Sequence, residues 1–128
     1  MDTKEGAGAL FYCMATNNFL LVKRPTGIWS ILGGGIEPGE NVKQAIAREV
    51  REESGYTKPL NLVHMHTVTF PNGYRYHNYL ALVDHEWKPK LNHEHTGYTW
   101  TPTFDGFNIH PGLAQAIKHY TNELKKDL

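Results

Sequence analysis

The sequence predicts one mixed α/β domain over residues 1–128, and three observations carry that prediction. Apolar runs occur in two pairs, each joined by turn-forming residues. A central stretch has helical periodicity with residues suited to cap both ends, and the chain closes on a second amphipathic stretch. No repeat, low-complexity tract or Pro/Gly/Ser linker divides it. A chain of 128 residues buries roughly two-thirds of the surface it exposes when unfolded, so a core forms without a disulfide or structural metal.

Ala7–Thr16 and Phe19–Arg24 are apolar runs split by Asn17-Asn18, and asparagine tolerates left-handed backbone, which predicts a hairpin. Ile28–Leu32 reads as a short strand that stops at Gly33-Gly34-Gly35, where no side chain keeps the backbone from close approach to a ligand. Asn41–Ser54 reads as a helix, with Asn41 as N-cap and Gly55 at the left-handed C-terminal position. Leu60–Phe70 and Arg75–Val83 form a second hairpin around Pro71-Asn72-Gly73-Tyr74, because proline fixes φ and glycine permits positive φ. His64 and His66 alternate onto one face of that strand. Asp84–Gly97 is polar and reads as loop, Tyr98–Thr101 as a short strand, and Pro111–Leu124 as a terminal helix. Leu113, Ile117, Tyr120 and Leu124 make a stripe on that helix to dock on the sheet.

Thirteen Lys plus Arg balance thirteen Asp plus Glu, so no global charge steers the chain toward nucleic acid or an acidic membrane. Affinity for an anion must be built locally. Cys13 alone makes no internal bridge, and the N-terminus lacks a basic, apolar leader, which together predict a cytoplasmic protein. The apolar run Ala9–Ala15 is too short to cross a bilayer. Among the eight histidines, His93 and His95 supply a pair at ligand spacing, but no third ligand stands beside them.

Gly33–Tyr56 is the informative segment, because its charges sit where an ordinary surface helix does not put them. At about 100° per residue, Ile46 and Val50 lie within about 80° of Val42 and define an apolar face, while Glu49 and Glu53 lie within about 20° of Val42. Glu52 flanks that face at about 80° on the other side, and Arg51 lies opposite. Like charges at these spacings repel, and carboxylates near a helix C-terminus oppose its dipole. Something cationic must offset that, and Mg²⁺, a hard cation that takes a few carboxylates plus waters and substrate phosphates, suits the cluster.

The stretch Gly34-x5-Glu40-x7-Arg48-Glu49-Val50-x-Glu52-Glu53-x-Gly55-Tyr56 resembles the Nudix box, G-x5-E-x7-R-E-U-x-E-E-x-G-U with U aliphatic, at all seven fixed letters. Tyr56, aromatic where the family has Ile, Leu or Val, is the one departure. With seven fixed letters at average usage, a chance match at a given start is on the order of one in 10⁸. The box covers 23 of 128 residues. The hairpin ending Val22-Lys23-Arg24, the Trp29 before the glycines and Glu94 six residues before Trp100 extend the resemblance. The family's W-x-x-P-G-G lead-in stands here as Trp29-Ser30-Ile31-Leu32-Gly33-Gly34, with Leu32 in place of proline.

The resemblance implies an α/β/α sandwich with a mixed β-sheet, and a pyrophosphohydrolase cleaving a nucleoside diphosphate linked to another moiety. It implies Glu49, Glu52, Glu53 and the Gly34 carbonyl as ligands of Mg²⁺ or Mn²⁺, with Glu40 and Arg48 orienting the helix carboxylates and Glu37 shaping the loop. The general base is Glu49 first and Glu94, from a late loop, second. Arg24 is the foremost residue to grip phosphate, since guanidinium matches phosphate geometry, and Arg75 follows it. Trp29 is a candidate for stacking on the substrate, as are Tyr74, Tyr76, Tyr98 and Trp100. The substrate class expected is a (d)NTP or dinucleoside polyphosphate. The alternatives are ADP-ribose or a nucleotide sugar, for which Pro71, 15 residues after the box, is an echo, and a non-catalytic nucleotide-binding module of the same fold. Cap removal from RNA lacks the basic surface it calls for. Monomer and homodimer both remain open.

Overall fold

The computed structural model describes residues 4–126, with side chains followed as far as Thr121. The elements run β1 (Glu5–Cys13), β2 (Asn18–Lys23), β3 (Trp29–Ser30), β4 (Leu32–Gly35), α1 (Val42–Ser54), β5 (Asn61–Thr69), β6 (Arg75–Val83), β7 (Gly97–Thr101) and α2 (Pro111–Lys126). β1 and β2 make the expected hairpin with Asn17 at φ 60°, yet only its closed end is paired, Tyr12 with Phe19 and Cys13 with Asn18. Below that the two strands part, and the chain from Trp29 to Gly35 enters the gap. β3 pairs with β2 through Ser30 and Trp29, and β4 pairs with β1 from Leu32–Ala9 to Gly35–Gly6. β7 takes the other edge of β2. β6 lies parallel to β1 along its whole length and antiparallel to β5, so the sheet is mixed.

The glycines therefore do not end a strand, as the sequence leads one to expect; they are the paired residues of β4, and the break falls at Ile31 instead. Crowding explains why. A Cβ on Gly33 would stand closer to the Ala7 carbonyl oxygen and the Tyr76 hydroxyl than real Cβ contacts allow, and one on Gly34 would stand 2.6 Å from the Glu49 carboxyl. Gly33→Ala is expected to cost about 2 kcal/mol of stability, because backbone on the Ala7 side cannot yield as a flexible side chain would. Denaturant unfolding checks this, and an unchanged midpoint would contradict it.

Each helix buries its apolar stripe on one face of the sheet. Ile46 and Val50 of α1 pack with Ala7, Ala9, Phe11 and Val22, and Leu113 of α2 packs with Leu10, Leu21, Ile31 and Met65, joined by Ile117 and Tyr120. Three layers result, α/β/α. Leu124, the last residue of the expected stripe, has its side chain outside the described residues. Tyr56, the aromatic departure in the box, packs edge-on to Phe11 (ring centroids 5.4 Å) and against Trp87 (4.7 Å), so the aliphatic position is filled by an aromatic cluster. Trp100 is partly buried against that cluster, its indole N–H donating to the Trp87 carbonyl at 2.9 Å.

His64 and His66 do not share a face. The register of β5 shifts between them, so His64 stands opposite Tyr79 and His66 opposite Asn78, adjacent positions of β6 that point to opposite sides. His66 instead stacks on His119 of α2 with centroids 4.0 Å apart. No described helix is long and apolar enough to cross a membrane.

Candidate metal and phosphate site

α1 begins at a complete capping box, in which Gln44 N–H donates to Asn41 Oδ1 (2.8 Å) and Asn41 N–H to Gln44 Oε1 (2.9 Å). It ends at Gly55, φ 76°, whose N–H donates to the Arg51 carbonyl. These local signals set where the helix starts and stops, and hence where its carboxylates fall. Arg48 then ties the helix to the loop before it. Its Nε donates to Glu40 Oε2 at 2.7 Å, Nη2 to Glu40 Oε1 at 3.0 Å and to the Gly35 carbonyl at 2.9 Å, and Nη1 to Glu49 Oε1 at 2.9 Å. Glu40 accepts a further bond from Glu37 N–H. The Arg48 guanidinium, with help from that N–H, holds the Glu40 carboxyl below its usual range, and Glu40 in turn raises the Arg48 pKa.

Glu53 lies under this arrangement, 2% exposed. Its Oε1 accepts from Gly33 N–H at 3.0 Å. A carboxylate this deep has lost its water, and it faces Glu49 and Glu94 besides. Burial first, then hydrogen bonding with Glu49 and repulsion from both carboxylates, push its pKa up to about 9, against the pull of the Gly33 amide. One oxygen each from Glu49, Glu53 and Glu94 lies within 4.8 Å of the others. Three converging carboxylates, one of them buried, offer the kind of oxygen set a hard divalent cation takes.

Because the folded pKa lies above the ordinary 4.5, Glu53 favours folding while protonated. Its contribution is complete below about pH 4.5 and is lost as pH rises toward 9. The metal-free protein should lose thermal stability between pH 5 and pH 9 through this group, and metal-free Glu53→Gln should lose less of it. Parallel slopes of melting temperature against pH in chelator would contradict the assignment.

Glu94 reaches the cluster because its loop is strapped at both ends. Lys90 N–H donates to the Ser54 carbonyl at 2.9 Å, and Asn92 Nδ2 donates to the Glu52 carbonyl at 3.1 Å, so the loop satisfies carbonyls at the open end of α1. On the far side, Thr96 N–H donates to the Lys23 carbonyl at 2.8 Å. Asn92 also accepts from Glu94 N–H at 2.9 Å. Nothing in the sequence reading singles out Asn92 as a positioning residue, although Asn-x-Glu is an Asx-turn signal.

Glu52, grouped with the ligands by the resemblance, stands outside the three, its half-exposed carboxylate 3.3 Å from Arg48 Nη1. Gly34 lies beside Glu53, Glu94, Arg24 and His95 along a cleft of about 490 Å³. Arg24 and Ile31 also line a second, larger cleft of about 580 Å³ on the α2 face, walled by Phe70, Tyr74 and Tyr76. Trp29 and Arg75 line neither. Trp29 packs edge-on to Phe107 at 5.2 Å, drawn there by the pairing of β3 with β2, and Arg75 is an exposed partner of Glu5 at 3.6 Å. His93 is exposed and His95 half-buried, and neither belongs to the carboxylate group.

A NUDIX domain profile matches residues 3–120 of the chain. The nucleoside triphosphatase NudI of Escherichia coli K12 is 32% identical over 91 residues, covering 62% of this chain and 64% of that one, so the match spans less than two-thirds of the relative. The crystal structure of a C. elegans Ap4A hydrolase binary complex has a TM-score of 0.76 at 25% identity, covering 94% of this chain and 98% of that one. The MutT protein of Methanosarcina mazei shares the fold, with a TM-score of 0.77 at 23% identity over 94% of each chain. With a family profile matching nearly the whole length, and the full box running from β4 through the loop and α1 to Tyr56 as described, the chain belongs to the NUDIX domain family.

Proposed function

We propose that the protein is a divalent-metal-dependent pyrophosphohydrolase acting on a nucleoside triphosphate or dinucleoside polyphosphate. The observation that carries this reading is the convergence of Glu49, Glu53 and Glu94 on a cleft that Arg24 also lines. A phosphate chain and a carboxylate cluster repel, so they meet only through a cation. Mg²⁺ or Mn²⁺ bound there would neutralise phosphate oxygens and acidify an attacking water. Glu53, Glu49 and Glu94 supply oxygen ligands in this reading, together with the Gly34 carbonyl and with Glu52, whose half-exposed carboxylate is free to turn from Arg48.

The chain's own residues divide the remaining work. Arg48 holds Glu49 Oε1 and leaves the other oxygen to take a proton from water. Glu40 holds Arg48, and Arg24 grips phosphate in bidentate fashion. The triphosphate and polyphosphate assignment is supported by the relatives, a nucleoside triphosphatase and an Ap4A hydrolase among them.

A panel of ATP, dGTP, Ap4A, ADP-ribose and UDP-glucose in Mg²⁺, read as phosphate or diphosphate release, tests the proposal. Turnover of triphosphates or Ap4A well above the other two is expected. Cleavage of ADP-ribose alone would move the assignment to the nucleotide-sugar class, and tight binding without turnover of any compound would make the protein a sensor.

A further inference from the structure

The larger cleft is lined by a side-chain amide whose oxygen takes no hydrogen bond from a described residue. Asn78 of β6 is 2% exposed and lines the cleft below Phe70, Tyr74 and Tyr76. Its Nδ2 is directed at two backbone carbonyls, His66 at 3.3 Å and Tyr76 at 3.5 Å. Carbonyl oxygens only accept, so the amide cannot be turned over, and Oδ1 is the atom offered to the cleft. No described residue donates to that oxygen, so it is left to accept from whatever occupies the cleft. A second polar group faces the same space. His110 Nδ1 accepts from Gly112 N–H at 3.1 Å, which places the proton of the neutral ring on Nε2 as a donor.

Flat aromatic walls, an amide oxygen free to accept and continuity with the phosphate side through Arg24 and Ile31 describe a base subsite with a directional contact. We propose that Asn78 selects the nucleobase, and that the cleft takes bases carrying an exocyclic amino group, whose N–H donates to Asn78 Oδ1. Adenine, cytosine and guanine carry one. Uracil and hypoxanthine do not, and the ring N–H of uracil lies between two carbonyl oxygens that would face the same amide oxygen. The proposal rests on the reading of the chain as a nucleotide pyrophosphohydrolase.

Matched pairs that differ at one amino group test it: CTP against UTP and ATP against ITP, by kcat/KM in Mg²⁺ and by dissociation constants of the α,β-methylene analogues. The amino-bearing member should be favoured about fivefold or more in at least one pair, with neither pair reversed, since a site built around a hydrogen bond rejects the analogue that lacks it. Asn78→Leu should bring each pair within about twofold, with thermal unfolding measured alongside because the change also removes two bonds to backbone. The wild-type pairs decide the matter even where that variant fails to fold. Hydrolysis with both pairs below fivefold, or with UTP or ITP preferred, would overturn the proposal alone. Amino-selective binding of the analogues without hydrolysis of any nucleotide would sustain it and overturn the hydrolase reading.

Discussion

Glu53→Gln is expected to lower turnover of a nucleoside triphosphate by about a thousandfold or more at saturating Mg²⁺, on the order of 4 kcal/mol of transition-state stabilisation. The change keeps the volume of a side chain that is 2% exposed and keeps an oxygen to accept from Gly33 N–H, so the fold should survive. What it removes is a charge, at the deepest point of the three-carboxylate group. The metal-free variant should be at least as thermally stable as wild type at pH 8, because glutamine is neutral without a proton whereas Glu53 beside Glu49 and Glu94 must hold one to stay buried. Loss of activity together with loss of fold would mean a structural role. Near wild-type turnover would remove Glu53 from the metal site.

The second large effect separates the two candidates for the base. Glu49 is fixed before substrate arrives, with Arg48 on one oxygen and Gly34 leaving room behind it, and groups held in place lose less on reaching the transition state. Glu49→Gln should therefore lower turnover by about a thousandfold and also raise the Mg²⁺ concentration needed for activation. Glu94→Gln should lower turnover by about tenfold. The late loop is more firmly held than a surface loop need be, since Asn92 and Lys90 tie it to the end of α1 and Thr96 ties it to β2, and Glu94 lies in the cluster without substrate. The order of the two effects is accordingly the informative reading, and a greater loss for Glu94→Gln than for Glu49→Gln would reassign the base.

The parts of the site that are local in the chain are legible in the amino-acid sequence itself. Asn41, Gln44 and Gly55 cap α1 where the pattern places them, and the helical positions of Glu49 and Glu53 follow from the helix period alone. The same period puts Glu52 at the edge of the apolar face, and the fold leaves it half exposed there beside Arg48. Contacts between distant segments are less legible. Glu94 comes to the cluster through hydrogen bonds to the end of α1 that no periodicity encodes, and only the family resemblance points to it. Trp29 and Arg75 have the right chemistry for a substrate site, but what each packs on is set by distant segments, Phe107 for Trp29 and Glu5 for Arg75. The glycine strand is hidden for a related reason: glycine is a poor strand former on propensity, and only the crowding between β1, β4 and Tyr76 shows why it is required there.

The central claim is that Glu49, Glu53 and Glu94 form a cation site, and binding of Mn²⁺ to the nucleotide-free protein tests it most directly. Free Mn²⁺ is titrated by electron paramagnetic resonance against wild type and against Glu53→Gln, both shown to be folded. Saturable binding to wild type, competed by Mg²⁺ and weakened about tenfold or more in the variant, is the result the carboxylate geometry predicts. Equal Mn²⁺ affinity in the two proteins, or no saturable binding to wild type, would contradict it.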